Sequence, residues 1–104
     1  MTQKIRTERI DFGVRIGYQD NFAEIAEFDD GMYRTGLNMW TGISGVGSSP
    51  FSTDTPYPTY TEAFNAVLDR AEKWVMQQKD NTAKERLLKA IKAKRNTDMT
   101  MDLF

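Results

Sequence analysis

The chain has 104 residues, 39% hydrophobic and 28% charged, with six Phe, four Tyr and two Trp, and fourteen basic against fifteen acidic side chains for a net charge of −1. That is the length of one domain with apolar material for one core, and the near-neutral balance excludes both a polyanion-coating protein and a DNA mimic, each of which needs a dense field of one sign. No Cys and no His occur, which removes disulfides, thiol nucleophiles, zinc sites and the commonest general base.

Residues 1–7 contain no apolar run of the kind a signal peptide needs, and no stretch approaches the roughly 18 to 20 apolar residues of a membrane span. A cytoplasmic protein with no membrane association is expected. Phe12 to Tyr18 alternates large apolar residues with Gly or Arg, which predicts a strand with Phe12, Val14, Ile16 and Tyr18 on one face. Gln19-Asp20-Asn21 supplies turn chemistry, and Phe22 to Phe28 follows as a second strand. Asp29-Asp30-Gly31 is a strong hairpin signal, from which Met32 to Trp40 returns antiparallel.

Thr41 to Pro58 is rich in Gly, Ser, Thr and Pro and reads as one long loop, pinned by Phe51 and Tyr57 and suited to binding. Thr59-Tyr60-Thr61-Glu62 fits a capping box, and Phe64, Val67, Leu68, Ala71, Trp74 and Val75 recur at steps of three and four, the apolar face of a helix. Lys79-Asp80-Asn81 interrupts the pattern. Thr82 to Glu85 repeats the capping signature, and Leu87, Leu88 and Ile91 form a narrower stripe that ends at Asn96 to Asp98. The expected fold is α+β: a three-stranded antiparallel meander packed by one long helix, then a second C-terminal helix and a free tail. In residue terms this gives a compact unit over 1–78, a helical appendage over 79–98 and a flexible tail over 99–104, one domain in all.

Chemistry-bearing groups are few. Glu24, Glu27, Asp29 and Asp30 lie close in sequence, but their spacing demands no metal and solvated strand and turn positions explain them. Gly42 to Ser49 lacks the Gly-Lys-Ser/Thr ending of a phosphate loop and is followed by more loop, not by a helix. No cofactor, no metal and no catalytic residue are expected. The aromatic residues Phe12, Tyr18, Phe22, Phe28, Tyr33 and Trp40, with Arg15 and Arg34, offer base stacking if they face outward, although a small sheet needs such residues for its core. Lys84, Arg86, Lys89, Lys92, Lys94 and Arg95 face Glu85 alone across the second helix, which gives a local basic surface.

The chain ends Thr100-Met101-Asp102-Leu103-Phe104. This resembles bacterial sliding-clamp-binding peptides of the form Gln-Leu-Ser/Asp-Leu-Phe, with Thr100 departing at the position where glutamine is usual. The resemblance implies that Met101, Leu103 and Phe104 enter an apolar pocket of a partner. The glycine-rich loop, Tyr57-Pro58-Thr59 and Glu62-Ala63-Phe64 resemble small sheet-plus-helix modules of phages and mobile elements, some of them attached to partition-type or DNA-modifying proteins.

The leading reading is therefore a non-catalytic phage or mobile-element accessory protein. It binds a host protein of the replication or defence machinery, such as the sliding clamp or a defence complex, in a class that includes anti-CRISPR and anti-restriction inhibitors. Its contact residues are Gly45 and Phe51 of the loop and Met101, Leu103 and Phe104 of the tail. The alternative is direct nucleic-acid binding through outward aromatics and Lys84, Arg86, Lys89, Lys92 and Arg95. A carboxylate enzyme ranks last.

Overall fold

The structure, a computed structural model, describes residues 2–101, with side chains for 2–96. Four strands, β1 (Lys4–Ile16), β2 (Gln19–Phe28), β3 (Tyr33–Trp40) and β4 (Gly45–Ser48), are followed by two helices, α1 (Tyr60–Met76) and α2 (Thr82–Met101). The strands form one antiparallel sheet in the order β1-β2-β3-β4. The α+β class holds, but the meander has four strands instead of three. Within the expected loop, Gly45 to Ser48 pairs with Leu37 to Trp40. Two glycines in four residues carry no period-two signal, so only pairing with β3 makes this segment a strand.

β1 begins eight residues before the expected strand. Lys4 to Arg9 has exposed side chains on both faces, so no hydrophobic alternation marks it, and its ladder to β2 is what extends it. The first hairpin turn is Gly17-Tyr18, closed by the pair Ile16 and Gln19. Gly17 has φ +63°, the left-handed backbone that a two-residue hairpin requires at its first central position. Tyr18 consequently projects from the turn, 93% exposed, and does not share the apolar face with Phe12, Val14 and Ile16. Gln19 to Asn21 belongs to β2. The second turn forms as expected, with the Gly31 amide donating to the Phe28 carbonyl at 3.0 Å and the Met32 amide to Asp30 Oδ1 at 3.0 Å.

One face of the sheet, including Ile10, Phe12, Ile25, Leu37 and Met39, packs against Phe64, Val67, Leu68 and Val75 of α1 and Leu87 and Ile91 of α2. Thr59 caps α1, its Oγ1 accepting from the Glu62 amide at 3.1 Å. α2 is capped by Asn81 and not by Thr82: Asn81 Oδ1 accepts from the Lys84 amide at 2.7 Å. Nor does α2 trail the sheet as an appendage, because Leu87 and Ile91 are fully buried in the common core. The helix passes through Asn96 to Asp98 to Met101, since that stretch holds neither Gly nor Pro to stop it. The Met101 side chain and residues Asp102, Leu103 and Phe104 lie outside the described residues. No helix among the described residues is long and apolar enough to cross a membrane.

Asn21 ties the first turn to the rest of the sheet. Fully buried, it donates from Nδ2 to the Val14 carbonyl at 3.0 Å and accepts at Oδ1 from the Trp40 amide at 2.7 Å. It spans the register shift of β1 between Asp11 and Arg15, where the ladder leaves main-chain groups without strand partners. Replacing it with Ala leaves the buried Val14 carbonyl and the part-buried Trp40 amide unpaired, a loss of about 2–3 kcal/mol, which thermal or urea unfolding of Asn21→Ala will show.

Candidate functional site

The basic helix is partly committed inside the molecule. Lys84 Nζ donates to the Met76 and Gln78 carbonyls at 3.3 and 2.9 Å and to Asp80 Oδ1 at 3.0 Å, placing a cation at the negative C-terminal end of α1. Arg95 reaches back to Asp69 at 2.7 Å and Glu72 at 3.9 Å, both on α1. Two of the five candidate phosphate-binding cations thus clamp α2 onto α1. Arg86, Lys89 and Lys92 are exposed and make no ion pair among the described residues.

The candidate stacking rings are scattered. Phe12 is in the core and Phe28 is buried, while Tyr33 packs edge-on against Tyr60 with centroids 6.1 Å apart. Phe22 faces away from the helices, but the Arg9 guanidinium lies 3.6 Å from its ring centroid, tied to Asp20 at 3.4 Å and Asp11 at 3.8 Å. Arg15 is drawn to the same Asp20 at 4.0 Å. Trp40 lies over Gly45, where an added Cβ would stand 2.7 Å from the Trp40 Cε3. Gly45 thus sits in β4 and not in a loop, exposed, with Trp40 too close to admit a side chain there.

The segment after β4 straps the second sheet face. Pro50 is fully buried and lies against Gly36, where a Cβ would meet the Pro50 Cδ at 2.8 Å and the Ser48 carbonyl oxygen. The Phe51 amide donates to Asp54 Oδ2 at 2.7 Å, and Tyr57 exchanges main-chain bonds with Tyr33. Phe51 is 58% exposed at the rim of a shallow depression of about 340 Å³ that also includes Glu24, Asn38, Ser48 and Ser49.

The four clustered acids diverge. Glu24 and Glu27 stand on opposite faces of β2, Glu27 pairing with Arg6 at 2.9 Å. Asp29 accepts from the Gln3 amide at 3.0 Å, and Asp30 holds the buried Arg34 at 2.8 and 3.2 Å. No group of three acids among the described residues is placed to hold a metal ion.

What sequence reasoning missed is the end of the molecule where three turns meet. The turn at Gly42 abuts Ile16, 3.5 Å from a Cβ built on that glycine, and Ser44 Oγ bonds Gln78 Oε1 at the end of α1. The Thr41 amide closes its own turn on the Ser44 carbonyl at 3.0 Å, and Gln78 Nε2 donates to the Trp74 carbonyl at 2.9 Å. At the same end of the sheet Tyr18, Ile43 and Met76 are exposed by 93%, 68% and 58%. Ile43 and Met76 are large apolar residues outside the period of the neighbouring element, whereas Tyr18 continues the period-two pattern of β1 and leaves its face only because the chain turns at Gly17.

Arg34 and the Met32 amide hold the Asp30 carboxyl below its ordinary value of 3.8. A depressed carboxylate stabilises the fold above its unfolded value, and that contribution fades as pH falls through the lower folded value. Thermal unfolding should therefore show wild type exceeding Asp30→Asn at neutral pH, with the two converging below pH 3.8. Comparison of the chain with protein-family models, with curated proteins and with solved structures finds no match.

Proposed function

We propose that this chain is a non-catalytic accessory protein of the phage or mobile-element kind that acts in the cytoplasm by binding a host protein of the replication or defence machinery. The observation that carries this reading is the exposure of three large apolar side chains, Tyr18, Ile43 and Met76, on two turns and a helix end at the same end of the sheet. Large apolar side chains on a hydrogen-bonded base are what a protein partner buries at the centre of an interface. The resemblance of the last residues to clamp-binding peptides makes the sliding clamp the first partner to test, and a defence complex the second.

Nucleic-acid binding is the weaker reading, because internal pairing leaves three exposed cations of the five and Arg9 caps the outward Phe22 ring. A tagged chain should capture a bacterial protein, identified by mass spectrometry, and a triple variant, Tyr18→Ser with Ile43→Ser and Met76→Ser, should lose it at unchanged melting temperature. Full capture by that variant alongside loss on truncation after Asp98 would move the contact to the terminal peptide. Failure of both forms to capture protein, with binding to DNA that weakens steeply as salt rises, would overturn the reading.

A further inference from the structure

β1 ends the sheet on one side, so one row of its main-chain groups meets no strand among the described residues. Which residues own that row follows from bonds elsewhere in the sheet. Tyr33 exchanges both main-chain bonds with Tyr57, at 2.8 Å each, so its amide and carbonyl point away from β2. Direction alternates along an antiparallel strand, so Arg34, Gly36 and Asn38 face β2, and their partners Ala26, Glu24 and Phe22 face β3. The Trp40 amide, bonded to Asn21 on β2, has the same direction. Ala23, Ile25 and Glu27 therefore face β1 and engage Ile10, Glu8 and Arg6. Thr7, Arg9 and Asp11 are left with amides and carbonyls turned to the open edge.

The row is short and bounded. The Gly13 amide beyond it is taken by Asp11 Oδ1 at 2.7 Å, and before it the register shifts between Lys4 and Arg6. We propose that Thr7, Arg9 and Asp11 form a docking edge that takes an extended segment of a partner protein as a fifth strand, with an acidic residue opposite Arg9 and a basic residue opposite Asp11. The proposal rests on the reading that the chain works by binding protein. Strand addition uses main-chain bonds for affinity and the flanking side chains for selection. Arg9 and Asp11 are each about half exposed and lie 3.8 Å apart, Arg9 also 3.4 Å from Asp20; such solvent-screened pairs are weak, so an acid and a base on the incoming strand exchange with them and the edge selects by charge.

A second copy of this chain does not fit. The symmetric pairing that uses all three residues sets Arg9 opposite the same arginine of the other copy, an unfavourable like-charge pair. It also brings a second α2 onto the sheet face where α2 already stands over β1. A lone extended segment carries neither obstacle.

The test uses the full chain, isotope-labelled, and a blocked peptide containing Lys-Val-Glu-Lys-Thr, which places its acid opposite Arg9 in antiparallel pairing; the control peptide has its charges reversed. Saturable amide shifts at Thr7, Arg9 and Asp11, about tenfold tighter for the first peptide, are expected. Thr7→Pro removes an outward donor and leaves the β1–β2 ladder intact, so it should keep its melting temperature and lose binding by about tenfold, the effect of one main-chain bond. No saturable shift, or equal binding of the two peptides, overturns the docking edge. Destabilisation by Thr7→Pro as large as by Glu8→Pro overturns it as well, because the Thr7 amide would then face inward. Peptide binding retained by the Tyr18, Ile43 and Met76 triple variant, with host-protein capture lost, supports the edge and separates its fate from that of the turn-end surface.

Discussion

Two helices can cover one face of a four-stranded sheet, and the opposite face of this small domain must be satisfied by other means. The helix-covered side gathers the aliphatic core of β1, β2 and β3 and supplies most of the burial that drives folding. On the far side the chain uses a strap and two stacked guanidinium groups. Gly36 lets the strap approach until Pro50 seats fully buried, Arg9 covers Phe22, and Arg34, held by Asp30, lies 4.7 Å from the Phe28 ring. Arginine suits this duty because its flat, weakly hydrated cation stacks on rings while keeping its hydrogen bonds.

That solution has a functional consequence. Side chains which in sequence look available for nucleic acid are drawn into closing the fold: Arg9 and Arg15 onto Asp20, Arg34 onto Asp30, Lys84 and Arg95 onto α1 and the turn that follows it. The net charge of −1 is a balance over the whole chain, and pairing within the molecule extends that balance to these local clusters. This pairing leaves those clusters little long-range pull on a polyanion. It does leave apolar groups at the turns and main-chain groups along β1 as the elements able to bond a partner at short range.

The turn-end surface and the β1 edge share Asn21 as a support. Its side chain bridges the irregular stretch of β1 to β3 and so fixes the strand bearing Thr7, Arg9 and Asp11 relative to the turn bearing Tyr18. A rigid base matters for both proposed surfaces, because a partner that bound there would not have to overcome their ordering entropy.

The sequence by itself determined the helices, the Asp29-Asp30-Gly31 hairpin, the Thr59 cap and the α+β class, because each is written locally as a period, a turn residue or a cap. It also determined that His and Cys chemistry is absent. Tertiary structure alone decided that Lys4 to Arg9 and Gly45 to Ser48 are strands, since neither has an apolar period and both form by pairing with a neighbour. It alone decided that Asn81 and not Thr82 caps α2, that α2 joins the core, and that Tyr18 leaves the apolar face, because one glycine two residues before Gln19 sets where the hairpin turns. The fate of each charge, whether paired inward or left to a partner, depends on which residues distant in sequence come within reach, and no local pattern records it.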